Sequence, residues 1–246
     1  MNPDYGETRF DKQLFRKRVE DALKTLHTDC IDVVQHLHRT VSKDIVYHKE
    51  GNPERLAGFS EVTEELLETF EQLKQEGKVK YLASFPMTTA YAKKVVNSGK
   101  YQALAGYYNP IETEMASLFP EMKQQGMGYI AIRPLLAGLL TDKRANRDQL
   151  PEDSSLRDHS WDDAYQLFDK VKEVVPASEI SWESFAIKFC LADPTVTTTV
   201  MGLNNPAQVE AAVKAANGVY PDAELVQQVW NTIAKHRKER NTWPPY

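Results

Sequence analysis

Short apolar, β-branched runs alternate with amphipathic helical stretches along almost the whole chain, and this alternation restricts the fold more than any other feature. Strands are predicted at Cys30–Leu37, Val79–Phe85, Ala103–Tyr108, Met127–Arg133 and Thr195–Met201. Helices are predicted at Asp11–Leu26, Val62–Leu73, Thr88–Asn97, Glu114–Gln125, Trp161–Val175 and Ser181–Ala192, from Pro206, and from Asp222 to about Arg240. Phe15, Val19, Ala22, Leu23 and Leu26 share one face of the first helix, and Leu225, Val226, Val229, Trp230 and Ile233 share one face of the last. Gly77 stops the helix that carries Leu66, Phe70 and Leu73. Regular alternation of this kind calls for a parallel sheet with crossover helices, either a (β/α) barrel or an open doubly wound sheet. The polar stretch Arg39–Ser60 is long for a βα loop, a length that tends to accompany function. No Gly/Ser/Pro tract divides the chain, so residues 1–246 read as a single domain.

The length of 246 residues suits one α/β barrel, which commonly runs to ~250 residues. Thirty Lys and Arg stand against 35 Asp and Glu, a net charge of −5, and their even spread provides no basic footprint for nucleic acid. No apolar run is long enough for a membrane span, and Met1–Tyr5 is too polar for a signal peptide. Cys30 and Cys190 are far apart and have no CxxC or histidine companions, which signals neither a disulfide framework nor a metal site. These features fit a protein of the reducing cytoplasm.

A closed parallel barrel needs eight strands, and five can be placed. The chain reaches its first helix after about ten residues, so the expectation is a (β/α)8-type fold lacking its first three strands. In parallel α/β folds, chemistry sits at the C-terminal ends of strands. Here those ends carry His36 and His38, then Ser84 and Phe85, Tyr108 and Asn109, and Arg133. Histidine can polarise a carbonyl or move its proton, but it serves equally as a hydrogen-bonded rim residue. Gly202-Leu203-Asn204-Asn205-Pro206-Ala207-Gln208 has the pattern of a helix start, with Asn205 as N-cap, Pro206 at N1 and Gln208 at N3. Such a start can also seat a phosphate, and Pro134–Leu140 with Gly138 is the matching loop after the preceding strand. GxGxxG, Walker, HExxH and GxSxG motifs are absent.

From about Asp11 to Val213 the sequence resembles the aldo-keto reductases. The resemblance is carried by Leu26–Asp32 followed by His38, by Leu73–Val79, by Tyr108-Asn109, by Pro134-Leu135-Leu136-Ala137-Gly138-Leu139-Leu140-Thr141 and by Gly202–Glu210. Asn241-Thr242-Trp243-Pro244 and the spacing of the second half are most similar to the galactose-dehydrogenase-like branch. The resemblance implies a barrel that binds NAD or NADP and moves a hydride to or from an aldehyde, ketone or aldose. It implies His38 as the residue that orients the carbonyl. It implies Ser84, Asn109, Arg133, Pro134, Leu135, Gly138, Leu140, Gly202, Asn204 and Gln208 as cofactor contacts.

The family's Asp, Tyr and Lys have no counterparts, since Tyr5-Gly6 runs directly into the first helix. Phe85, Ala105 and Ala212 stand where the family usually has Asn, Gln and Asn. Leu203–Ala207 holds no Lys or Arg for a 2′-phosphate, which leaves NAD at least as suitable as NADP. This reading therefore expects the chain alone not to reduce carbonyls, and expects dinucleotide affinity to reside in the loops Pro134–Thr141 and Gly202–Gln208. It also expects self-association through unpaired strand edges. The rival reading is an inactive barrel remnant used for interaction or assembly, and a lyase or isomerase with His38 as base lacks a supporting carboxylate or metal set.

Overall fold

The computed structural model describes residues 10–38, 59–86, 89–176 and 180–240. Tyr5-Gly6, nearly all of the Arg39–Ser60 stretch and the Asn241–Pro244 segment lie outside the described residues, as does the side chain of His38. In chain order the elements are α1 (Lys12–Leu26), β1 (Ile31–His38), α2 (Phe59–Gln75), β2 (Val79–Pro86), α3 (Thr89–Ser98), β3 (Ala103–Tyr107), α4 (Phe119–Gln124), β4 (Gly128–Ile132), α5 (Asp162–Val174), α6 (Trp182–Ala192), β5 (Val196–Val200), α7 (Pro206–Ala216) and α8 (Ala223–Arg240). The strands are hydrogen-bonded in chain order, β1-β2-β3-β4-β5, in parallel, as the alternation requires. The chain divides into two compact units, residues 1–105 with 120–128 and residues 106–119 with 129–246.

In the first unit, Asp11 caps α1 by accepting from the Gln13 and Leu14 amides, both at 2.9 Å. The helix ends where His27 turns left-handed at φ 51°. Phe15, Val19 and Leu23 are buried as expected, but Leu26 is 63% exposed because it falls beyond the last turn that faces the sheet. β1 pairs with β2 from Ile31↔Val79 to His38↔Pro86, and β2 continues to β3 through Ala83↔Ala103. β1 is an end strand of the sheet, in line with the expected strand edge at Ile31–Leu37, and Val33 is 41% exposed while Val34 is buried. α2 buries Leu66, Phe70 and Leu73 together with Thr63, whose hydroxyl bonds that of Tyr101 at 3.2 Å. Burial pushes the Tyr101 phenol up to about 12. Cys30, just before β1, is half-buried.

At the start of β2 a cluster of four charges forms. Arg16 and Lys78 each reach Glu76 at 2.8 Å, and Lys78 also reaches Glu20 at 2.9 Å. The Arg16 and Lys78 hydrogen bonds hold the Glu76 carboxyl down at about 2.

The second unit is built on aromatic rings. Phe119 lies 5.2 Å from Tyr108 and 5.0 Å from Tyr129, centroid to centroid, and Trp230 of α8 closes on it at 6.3 Å. The polar tips of these rings are satisfied: Trp230 Nε1 donates to the Tyr108 hydroxyl at 3.1 Å and the Tyr129 hydroxyl donates to the Tyr107 carbonyl at 3.2 Å. Cys190 of α6 donates through Sγ to the Tyr108 carbonyl at 3.1 Å, and burial pushes both the Cys190 thiol and the Tyr108 phenol well up. Gly106 is required here, since a Cβ would stand 2.5 Å from the Tyr129 hydroxyl oxygen.

The helix expected at Glu114–Gln125 is two pieces, a 3-10 turn at Glu114–Leu118 followed by α4. Pro120 is the cause. Its ring clashes with the carbonyl four residues back in a continuous helix, but it is tolerated in the first turn of a new one. β4 pairs with β5, α5 packs on α8 through Val226, Val229 and Ile233, and residues 142–161 form a chain of short 3-10 turns.

Candidate cofactor cavity

A cavity of about 740 Å³ opens in the second unit at the C-terminal ends of β4 and β5. Its walls come from Arg133–Gly138, from Thr141, Lys143 and Arg144, from the start of α6, from Gly202–Asn204 and from α7.

The Arg133–Gly138 segment has an unusual backbone. Arg133 (φ 62°), Leu136 (φ 44°), Ala137 (φ 53°) and Gly138 (φ 86°) all lie in the left-handed region. The turn is held closed from inside: the Leu136 amide donates to the Arg133 carbonyl at 2.9 Å, the Gly138 amide to the Leu135 carbonyl at 2.8 Å, and the Thr141 hydroxyl to the Gly138 carbonyl at 2.8 Å. Arg144 donates to the Ala137 carbonyl at 3.0 Å and lies against Gly138, where a Cβ would come 2.5 Å from its Nη1.

Two helix starts contribute to the walls. At α7, Asn205 Oδ1 accepts from the Gln208 amide at 3.0 Å and Gln208 Oε1 accepts from the Asn204 amide at 2.6 Å, the reciprocal cap its sequence predicts. At α6, Ser181 is the N-cap, Asp142 accepts from the Trp182 amide at 2.8 Å, and Glu183 accepts from the Asp142 amide at 3.1 Å. The exchange between Asp142 and Glu183 fixes the Lys143–Arg144 turn to the helix start.

Arg133, Lys143 and Arg144 line the cavity against one carboxylate, Glu183. The α6 start already faces the Asp142 carboxylate, so the excess of cations and the start of α7 set the electrostatic preference, which is for an anion.

Of the residues singled out from sequence, Arg133, Pro134, Leu135, Gly138, Gly202, Asn204 and Gln208 come together in these walls. Leu140 is buried beneath the loop instead. Asn109 is fully buried and spends its amide internally, donating to Glu112 at 2.7 Å and to the Arg133 carbonyl at 3.1 Å. Ser84 belongs to the first unit, buried at the register position of His36. His36 packs edge-on against Phe10 and Phe15. His38 stands in register with Pro86.

Lys143, Arg144, Ser184 and Glu183 were missed. The absence of a basic residue in Leu203–Ala207 holds, but the cavity draws its cations from the other loop. The available signal was Asp142-Lys143-Arg144 following directly on the Pro134–Thr141 motif. Among the described residues no cluster of His, Cys, Asp and Glu could hold a metal ion, and no helix is long and apolar enough to cross a membrane.

The family model for the aldo/keto reductase family matches residues 2–237. The chain belongs to the aldo/keto reductase family. It is 21% identical over 229 residues to the uncharacterized oxidoreductase YqkF of Bacillus subtilis, covering 93% of this chain and 67% of that protein. It is 24% identical over 243 residues to L-galactose dehydrogenase of Arabidopsis thaliana, covering 96% of this chain and 68% of that one, a match in keeping with the branch-level resemblance. This aldo/keto reductase thus spans about two thirds of the length of these relatives. Its fold is that of the solved barrels. The holo form of an aldo-keto reductase from Bacillus halodurans matches with a TM-score of 0.67 at 23% identity, over 91% of this chain and 68% of that one. Glycerol dehydrogenase from Gluconobacter oxydans matches at 0.65 and 21% identity, over 94% of this chain and 66% of that one.

Proposed function

We propose that this aldo/keto reductase chain binds NAD or NADP in the cavity at the ends of β4 and β5 and supplies that cavity to an oxidoreductase working on the carbonyl of an aldehyde, ketone or aldose. One observation carries the reading: seven residues expected to touch the cofactor converge on one cavity together with Lys143, Arg144 and two helix starts. The volume is in the range of small-molecule and cofactor sites, ~300–1,000 Å³. When bound, the nicotinamide supplies or accepts the hydride.

The chain's own part is to bind and orient. Arg133, Lys143 and Arg144 meet the phosphates as cations, and the start of α7, capped by a neutral Asn205, adds the positive end of its helix dipole. The closed Arg133–Gly138 turn keeps its own carbonyls occupied. Both NAD and NADP suit this cation set. A sugar or small polyol substrate is supported by the printed names of two relatives, L-galactose dehydrogenase and glycerol dehydrogenase. His38, at the end of β1, is the residue that the family resemblance implies for orienting a carbonyl.

Calorimetric titration of NAD and NADP, with amide-shift NMR to locate the binding, tests this. Shifts should concentrate in 133–144 and 202–208, and Lys143→Ala should weaken binding about two- to fivefold, as loss of one exposed charge contact does. Shifts confined to the Ser84 strand end, or no binding at millimolar cofactor, would sink the assignment.

A further inference from the structure

Behind the cavity wall lies a carboxylate that the reading above does not use. Glu112 is 1% exposed. It closes a four-residue turn in which the Asn109 and Glu112 amides each donate to the other's carbonyl at 3.1 Å. Asn109 Oδ1 also accepts from the Ile111 and Glu112 amides, at 3.1 and 3.0 Å. The Asn109 side-chain nitrogen then donates twice, to Glu112 Oε2 at 2.7 Å and to the Arg133 carbonyl at 3.1 Å. One amide thereby joins the buried carboxylate to the residue that begins the cavity loop.

A carboxylate kept from water needs a positive partner. Arg133 and Arg237 are the cations that act on it. Arg237, from α8, is paired with the Glu114 carboxylate and donates to the Ile111 carbonyl at 2.7 Å. Of the two cations, Arg133 acts on Glu112 the more strongly. The Arg133 guanidinium lies over the Tyr107 ring, 4.7 Å from its centroid, and Arg133 is one of the residues lining the cavity.

We propose that Glu112 is a buried counter-charge that sets how tightly the cavity holds anions, acting through Arg133. The inference rests on the dinucleotide reading above and adds to it a residue that never touches the ligand. Burial pushes the Glu112 carboxyl up, and the Arg133 charge, the Asn109 hydrogen bond and the Arg237 charge each pull it back. The other titratable groups that interact with it, Tyr129 on β4 and Cys190 on α6, are held neutral by their own burial. Glu112→Gln preserves an oxygen for the Asn109 amide and removes the charge, with an amide nitrogen in place of the second carboxylate oxygen. Glu112→Ala removes the anchor as well. A counter-charge predicts opposite effects for the two substitutions, whereas a merely structural role predicts that both weaken binding.

NADP is titrated calorimetrically into the wild type, Glu112→Gln, Glu112→Ala, Arg133→Gln and the Glu112→Gln/Arg133→Gln double variant. Glu112→Gln should bind roughly three- to tenfold more tightly at low salt, the gain shrinking as salt rises. Glu112→Ala should bind less tightly than wild type, and the gain should vanish in the Arg133→Gln background. Unchanged or weaker binding by Glu112→Gln, or the same gain without Arg133, overturns the proposal. Should Glu112→Gln fail to fold, the wild type should still gain NADP affinity on acidification and Arg133→Gln should not; equal gains in both count against it. The Arg133 Nε–Hε resonance, assigned by its loss in Arg133→Gln, gives a reading without ligand. If NADP does not bind the wild type, the cavity assignment fails, while a resonance that moves in Glu112→Gln upholds the pairing and one that stays in place refutes it.

Discussion

The two units treat their charges in opposite ways. At the start of β2, Arg16, Glu20, Glu76 and Lys78 form a cluster of two cations and two carboxylates, each within about hydrogen-bond reach of a partner of opposite sign. At the end of β4, Arg133, Lys143 and Arg144 face a cavity with one carboxylate among them. A balanced surface cluster has no charge left for a ligand and contributes little to stability, because water already screens its members. With Glu112 acting on Arg133 from behind the wall, cations still outnumber carboxylates in the lining, which favours an anion there. The stability of the second unit comes instead from the dry rings beneath the cavity, whose polar tips are all paired.

The comparison can be broken most directly in those rings. Phe119→Ala removes the ring shared by Tyr108, Tyr129 and Trp230 and should cost about 3–5 kcal/mol by urea unfolding. A loss under about 1 kcal/mol would mean that the ring cluster does not hold this unit. Arg16→Ala, in the balanced cluster, should lower Tm by less than roughly 3 °C, and the difference should fade in high salt. A larger, salt-insensitive drop would show that the cluster behaves as a buried network.

The smallest effect is at acid pH. Glu76 is held at about 2 by Arg16 and Lys78, against an ordinary 4.5. Because its pKa is depressed on folding, its contribution is present above pH 4.5 and is lost as pH falls toward 2. The wild-type advantage over Arg16→Ala should therefore narrow across that window in a series of thermal melts, and a gap that widens on acidification would reverse the assignment.

Periodicity located every strand to within a residue or two, because each β-branched run is bounded by a cap or a glycine that local chemistry dictates. Asp11, Gly77 and Asn205 act as their positions predict. Leu26, the last residue of α1, escaped the reading because a helical period marks a face and not how far along the helix the packing extends. Pro120 was legible in principle, as a residue that divides a helix rather than occupying its middle. At the site, the loops matched by family pattern do meet, yet two polar residues at strand ends turn inward. Asn109 is consumed by Glu112 and by the Arg133 carbonyl, and His36 by aromatic neighbours. A strand end states where a side chain starts and not which partner it finds. Lys143 and Arg144 follow directly on the Pro134–Thr141 motif and were within reach of the sequence, whereas no local pattern says that Glu112 is buried.

The two cysteines differ in a way that has an experimental use. Cys190 is enclosed, its Sγ spent on the Tyr108 carbonyl and its thiol kept protonated by burial, while Cys30 is half-buried beside the first strand. Thiolate is the species that reacts with maleimides and iodoacetamides, so Cys190 should stay silent for as long as the protein is folded. The natural sequence thus carries a single addressable position for a fluorophore or spin label. Appearance of a second labelled site would then time the opening of the ring-packed unit, with no cysteine engineered in or out.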